Sequence, residues 1–472
     1  MLFSSVTFLY YFLPVVLVLY FFVLKLTGSP KFCNWVLLAA SLVFYAWGEP
    51  VYVLLMAGQS FSGWFFGVII ETFHGRPAAK AALAASLVVG VGGLAVFKYS
   101  DFFVENINAL LHSPLPPPGI ALPIGISFYT FQILSYTIDL YRGRAPVQRN
   151  FLDFSAYVML FPQLIAGPIV RYVDVASELT HREHTIGRFA EGARRFVLGL
   201  GKKVLIANVL GELVEIYKGS SEQSVLFAWL YIIAYALHIY FDFSGYSDMA
   251  IGLGRIFGFR FPENFNYPYM AGSITEFWRR WHMSLSGWFR DYVYIPLGGG
   301  RVSAPKRMRN ILAVWLLTGF WHGAGWNFIA WGLYFAVLLL AEKFVLGRIL
   351  ARAPAFLPHV YAMLCVLVSW VFFDAPDFSS ALSRLSVLFG AGADSLAGTE
   401  SCYYLRSYLL PLLIAVFGCT PAPARIVARL VRGHGGERAF AVLEPLCVAA
   451  LLIVITAYLV DGSFNPFIYF RF

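Results

Sequence analysis

Read from the N-terminus, the chain alternates long apolar runs with short charged segments. Residues 1–24 carry no charged side chain, and further charge-free stretches cover 32–48, 50–70 and 81–97. Each approaches the ~20 residues that a helix needs to cross a bilayer. The first is longer than the apolar core of a signal peptide and has no small-residue cleavage site after it, so it reads as an uncleaved span. Later candidate spans are 223–241, 357–373, 407–424 and 439–460. Pro114, Pro116, Pro117 and Pro118 form a stiff, extended connector. The apolar run Leu122–Phe128 follows, with helix breakers, as a span or a re-entrant segment. Residues 171–203 mix charges at helical spacing with moderate apolarity, the pattern of helices lying at an interface. No repeat of 20–50 residues is present. The pattern predicts an all-α polytopic membrane protein with about 10–12 transmembrane helices, plus re-entrant or interfacial helices.

Composition sharpens this. Hydrophobic residues make up 59% of the 472, and charged residues 13%, about half the usual share. A soluble globule of this length has no charged shell to draw on, and neither does a nucleic-acid-binding domain. Aromatics reach 18%, as where rings sit at membrane–water interfaces. The net charge is +9. Lys25, Lys31, Arg76 and Lys80 alternate with Glu49, Asp101 and Glu105 between the first runs. The positive-inside rule then places the basic loops in the cytoplasm and the N-terminus outside, with no polyanion partner required. Arg142, Arg144 and Arg149 and the stretch 425–438 extend the same reading, which puts the C-terminus outside. The five cysteines are scattered and show neither a disulfide nor a zinc spacing.

One run is of an awkward length. Between Arg309 and Glu342 lie 32 residues without Asp, Glu, Lys or Arg. As one helix they would extend about 48 Å, too long for a ~30 Å core, and two full crossings need about 40 residues. Both flanks are basic: Lys306, Arg307 and Arg309 before, Lys343, Arg348 and Arg352 after. A broken or re-entrant element satisfies these limits, with its break at Gly323-Ala324-Gly325. Such backbone is tolerated at membrane depth only where protein or a water-filled cavity covers it. His322 and Asn327 flank that break. An ionisable group there is a functional candidate that can take and return a proton. A buried histidine bonded to a backbone carbonyl suits the position equally well.

A polar belt occupies 242–309. Thr275 to Tyr294 contains no breaker except Gly287. As one helix it would carry Trp278, Trp281, Leu285, Trp288 and Tyr292 on a single stripe. Thr275, Arg279, Ser286 and Arg290 gather beside it, with His282 at the seam. An aromatic wall next to Arg and His can hold a thioester, a phosphopantetheine-like donor or a sugar. An interfacial amphipathic helix with a solvated Arg face gives the same pattern. His238, Asp242 and Asp248 could hold a metal, but a His–Asp hydrogen bond that orients a helix is the simpler reading, and no metal site is expected. Gly298-Gly299-Gly300 lacks the Lys-Ser/Thr pair of a phosphate loop. No G-x-S-x-G marks a serine nucleophile.

Several segments together resemble the membrane-bound O-acyltransferase family. They are Phe161–Pro168, Tyr240–Asp248, Phe277–Ser286, Trp288–Gly299 and Gly319–Gly323. The nearest group is the bacterial branch that O-acetylates alginate, cellulose and related exopolysaccharides. The likeness runs over nearly the whole chain, as one domain (1–472) with its signature core at about 121–345. The resemblance implies a helical disc with a polar tunnel through the membrane. It implies that His322 stands at the family's invariant, catalytic histidine, and His282 at its second signature position. It further implies a bacterial inner-membrane location and an acyl thioester donor, either acetyl-CoA or a carrier-bound acyl group, with no bound cofactor. Members of this branch commonly work with an extracytoplasmic acetyltransferase and with polysaccharide export machinery. On that basis Trp278, Trp281, Trp288, Arg279, Arg290, Ser286, Asp242 and Asn327 are expected to line the substrate path. His322 would be the base, and His282 or Asn327 the oxyanion donor. A transporter or flippase without chemistry, or a scaffold of an export complex, would need a similar polar path.

Overall fold

The computed structural model describes residues 1–112, 114–165, 167–432 and 436–462. Helices take 76% of the chain. They are α1 (Leu13–Thr27), α2 (Pro30–Ala46), α3 (Tyr52–Thr72), α4 (Pro77–Leu111), α5 (Ile126–Tyr141), α6 (Phe151–Met159), the single turns α7 (Phe161–Leu164) and α8 (Tyr172–Val175), α9 (Ile186–Gly201), α10 (Asn208–Gly219) and α11 (Val225–Ile256). After them come α12 (Ile274–Arg280), α13 (Met283–Phe289), α14 (Ala304–His322), α15 (Trp326–Ala341), the turn α16 (Gly347–Leu350), α17 (Phe356–Asp374), α18 (Phe378–Leu388), α19 (Thr399–Gly418), α20 (Ala422–Arg432) and α21 (Gly436–Asp461). Among the described residues no strand forms beyond one isolated bridge, Ser224 with Ser395.

Among the described residues, eight helices are long and apolar enough to cross a bilayer. The shorter α2 is apolar as well. The chain is therefore a multi-pass membrane protein. Burial separates the spans by role. Of the apolar window of α11, 78% is buried, against 6% for the last span. Helix α11 is thus a core element and α21 a peripheral one. Residues 114–122 form no helix, and the run at 122–128 enters α5. That helix is buried almost all round, with 14 of its 16 residues inside.

The chain divides into two compact units. The first comprises Met1–Phe196 and Tyr246–Pro262. Within it, α5 is received by helices that present glycines: a Cβ at Gly67 would stand 2.6 Å from the Tyr136 ring, and one at Gly90 3.0 Å from Leu134. Small residues let membrane helices approach this closely.

The second unit comprises Val197–Gly245 and Glu263–Phe472. Its centre is an antiparallel pair, α14 and α15. A Cβ at Gly319 would collide with the carbonyl oxygen of Phe328, and one at Gly332 with that of Trp315. The awkward apolar run is therefore a helical hairpin, folded where the two glycines suggested. Gly323 and Gly325 are extended, and α15 starts at Trp326. Its second limb continues through a π-turn and α16 to Leu350, giving a 25-residue apolar helix. Arg307 and Arg309 belong to the first limb and Lys343 and Arg348 to the second. All four thus lie at the end of the hairpin away from His322.

Candidate active site

His282 sits where the expected continuous helix breaks. After α12, Trp281 turns extended (φ −99°, ψ 131°) and His282 is left-handed (φ 43°, ψ 55°). That conformation costs a non-glycine residue roughly 1–3 kcal/mol and tends to occur at functional sites. The reason for the break lies in the loop at 264–266. The Asn266 N–H donates to the Arg280 carbonyl at 2.9 Å, and the Met283 N–H to the Asn264 carbonyl at 3.0 Å. These bonds satisfy backbone groups that the break would otherwise leave open. Helix α12 is anchored at its start by Glu342. Its carboxylate accepts the N–H groups of Ile274 and Thr275 and the Thr275 hydroxyl, at 2.5, 2.9 and 2.7 Å. A carboxylate at a helix N-terminus is also favoured by the helix dipole.

The imidazole of His282 is fully buried. Its Nδ1 lies 3.1 Å from the Oδ1 of Asn264. The same oxygen accepts the Ser284 N–H at 3.3 Å and the Ser284 hydroxyl at 2.9 Å. A backbone N–H can only donate, so the Asn264 atom here is an acceptor and Nδ1 carries the proton. The other ring nitrogen, Nε2, is then a lone-pair acceptor. It is buried and has no protein hydrogen-bond partner among the described residues. Burial pushes the His282 pKa down to about 3, so the ring is neutral at physiological pH.

His322 is the last residue of α14 and is 3% exposed. Its ring lies 4.9 Å from Trp321, 5.0 Å from Trp331 and 5.3 Å from Phe373. His282 lies 6.3 Å from the same Trp321 ring, so the two histidines share one neighbouring indole. Among the described residues, the buried indole N–H groups of Trp278, Trp331 and Trp370 in this cage have no protein acceptor.

The other expected residues divide. The Asn327 amide donates both to Phe372 O (3.3 Å) and to Ala375 O (2.8 Å), so its N–H groups clamp α15 to the end of α17. Trp278 packs on Trp315 and Phe335, whereas Trp281 packs on Phe265 and Trp370. Trp288 lies beyond the break, against Phe289 and Tyr292. The three tryptophans therefore do not share one stripe, because the turn at His282 changes the register. The Ser286 hydroxyl ties α13 to α12 by donating to the Trp278 carbonyl at 3.1 Å. Arg290 pairs with Asp291 at 2.7 Å on the surface. Arg279 lines a crevice of about 740 Å³ with Thr275, Tyr294, Glu342 and Lys343. Asp242 is paired with buried Lys203 at 2.6 Å. Gly245 permits this: a Cβ there would stand 2.7 Å from the Gly199 carbonyl oxygen. In the other unit, Asp248 pairs with Arg195 at 2.8 Å. Asp242 and Asp248, the carboxylates nearest His238 in sequence, thus each have their own cation.

Sequence reasoning missed Asn264, Lys203, Trp331 and Asp374. Asp374 closes α17 between Phe373, which touches His322, and Ala375, which holds Asn327. Its carboxylate accepts the Tyr231 hydroxyl and pairs with Lys218 (2.8 Å) and Arg384 (2.9 Å). A lone acid ending an apolar run was the available signal for Asp374. Nothing in the sequence marked Asn264.

These features define a helical membrane protein with a pair of buried histidines beside a tryptophan cage near the fold of the α14–α15 hairpin. The model of the membrane-bound O-acyltransferase family matches residues 128–383, more than half of the chain, and the chain belongs to that family. It is an O-acyltransferase. It is similar along its whole length to a probable alginate O-acetylase AlgI of Azotobacter vinelandii, 40% identical over 100% of both chains. A peptidoglycan O-acetyltransferase of Helicobacter pylori is 35% identical over 84% of this chain and 81% of its own. A teichoic acid D-alanyltransferase of Bacillus subtilis is 30% identical over 53% of this chain and 67% of its own.

Proposed function

We propose that this protein passes an acyl group, acetyl by its similarity to the alginate O-acetylases, from a cytoplasmic thioester to an extracytoplasmic polysaccharide of the alginate or cellulose type. The observation that carries the reading is the placing of His322 and His282 around Trp321, at the end of the hairpin opposite its basic residues. On the positive-inside rule those basic residues face the cytoplasm. Their end is the donor side, and His322 lies toward the acceptor. The crevice at Arg279 and Lys343 receives the anionic part of the donor, acetyl-CoA or a carrier-bound acyl thioester. The membrane is the bacterial inner membrane. A separate extracytoplasmic acetyltransferase and the export machinery complete delivery.

The chemistry follows from the two rings. His322 takes the proton from the acceptor hydroxyl as its oxygen attacks the thioester carbonyl. The new C–O bond forms, the C–S bond breaks, and the proton passes to the departing sulfur. His282, with Nδ1–H held by Asn264, offers only a lone pair at Nε2, so it accepts a hydrogen bond from a neighbouring hydroxyl of the acceptor sugar and thereby orients the attacking one. Asn327 is committed to its clamp. The developing oxyanion is therefore assigned to the Trp331 indole N–H, a buried donor beside His322 that lacks a protein acceptor among the described residues.

The test uses membranes carrying the full chain, a labelled acetyl thioester and the exported polymer. Wild type transfers label with time, and His322→Ala leaves none while the protein remains in the membrane in normal amount. Wild-type transfer by that variant would overturn the catalytic assignment. Transport of unmodified glycan without label transfer would overturn the acyl-transfer reading.

A further inference from the structure

A second polar cavity lies in the other unit and takes no part in the chemistry above. It is about 310 Å³ in volume and is lined by Arg188 and Glu191 of α9, Arg255 in the last turn of α11, and the loop Gly258–Phe261. Three arginines face one glutamate. Arg255 pairs with Glu191 at 2.5 Å, and Arg188 pairs with Glu183 at 2.6 Å. Arg260 is fixed only through its backbone, whose N–H donates to Glu178 at 2.9 Å. Its guanidinium has no protein partner among the described residues.

The floor of the cavity is apolar. Phe259 and Phe261 are buried and stacked at 6.1 Å, and Arg182 lies over Phe259 at 4.5 Å. Gly258 is left-handed (φ 86°), and a Cβ there would stand 3.1 Å from both Arg182 and His184. A side chain at this position would be strained and crowded.

The surroundings identify the ligand class. Arg255 ends a membrane-crossing helix, so the cavity sits at headgroup level. Helix α9 beside it is amphipathic and exposes apolar side chains, Ile186 (90% exposed) and Phe189 (39%). An apolar face beside an arginine crevice at the end of a span matches a phospholipid, with acyl chains along the helix and phosphate among the guanidinium groups. We propose that this crevice is a binding site for the phosphate of an anionic phospholipid headgroup, with Arg260 as its principal ligand.

The experiment measures adducts of phosphatidylglycerol and phosphatidylcholine on the purified full chain by native mass spectrometry. Arg260→Gln leaves both ion pairs in place and so preserves the fold, which unchanged acyl transfer and melting verify. We expect wild type to prefer phosphatidylglycerol, and Arg260→Gln to weaken that binding about tenfold. Glu191→Gln, which raises the local positive charge, should bind no more weakly than wild type. The pair Arg348→Gln/Arg352→Gln removes exposed charge elsewhere and should change nothing. Equal binding of the two lipids by wild type would overturn the site. So would an unchanged Arg260→Gln, or an equal loss in the Arg348/Arg352 control. Displacement of the lipid by millimolar inorganic phosphate would assign the crevice to a free anion and overturn the lipid.

Discussion

Asn264 is the residue whose removal bears most directly on the chemistry. Its Oδ1 accepts from buried His282 Nδ1 at 3.1 Å and from the hydroxyl and N–H of partly buried Ser284 at 2.9 and 3.3 Å. Asn264→Leu keeps the volume and deletes the acceptor. Each buried donor left open costs about 1–3 kcal/mol, although rotation of the Ser284 hydroxyl recovers part of this. The catalytic cost is separate. Without Oδ1, the His282 proton is free to move to Nε2, and the lone pair is lost in that tautomer. A histidine placed in the wrong tautomer can lose up to about 10⁴ in kcat, so the expected loss is roughly 10²- to 10⁴-fold with KM little changed. Asn264→Asp supplies the companion measurement. It retains the acceptor, so activity at neutral pH should return. Its carboxylate also favours the imidazolium, raising the His282 pKa from about 3. Protonated His282 has no lone pair at Nε2, so the acid limb of kcat moves to higher pH in this variant. The assay is single-turnover transfer from a labelled thioester in proteoliposomes across pH 5–8. Wild-type kcat in Asn264→Leu, at normal abundance and melting temperature, would refute the reasoning.

Two further outcomes follow from the same cage. Trp331→Phe retains an aromatic ring against His322 and removes one N–H. The loss of an oxyanion donor predicts a fall of about 10²–10³ in kcat at near-constant KM, and a kcat/KM split from initial rates would check it. Asp374→Asn leaves Lys218 and Arg384 without their shared anion. Because both cations are partly solvated (27% and 22% exposed), the loss is set at about 1–2 kcal/mol rather than the larger buried-pair value. It should register as a small downward shift of the melting curve, together with reduced kcat through displaced Phe373.

What the sequence made legible was whatever the bilayer enforces. Charge-free runs report spans because the hydrocarbon core admits little else, and the hairpin at 323–325 followed from length arithmetic plus two glycines. The reading stopped short where tertiary partners neutralise polar residues. The charge-free run predicts a span over 223–241 that stops at Asp242, yet α11 continues to Ile256. Lys203 and Arg195 neutralise Asp242 and Asp248, and both cations are distant in sequence.

The turn at His282 shows the limit most clearly. Trp281 and His282 are not helix breakers, and the spacing of tryptophans around them fits an unbroken helix. The break is imposed from outside, by Asn264 and Asn266 taking the freed backbone groups. That same loop then holds the imidazole. A histidine inside a regular helix would donate or accept as its solvent dictated. At this turn, Asn264 joins the strained backbone and the ring proton in one interaction, so the residue that breaks the helix also sets which nitrogen is basic. Conformational strain and tautomer are therefore one device, which is why a variant at position 264 should disturb catalysis more than its cost in stability suggests.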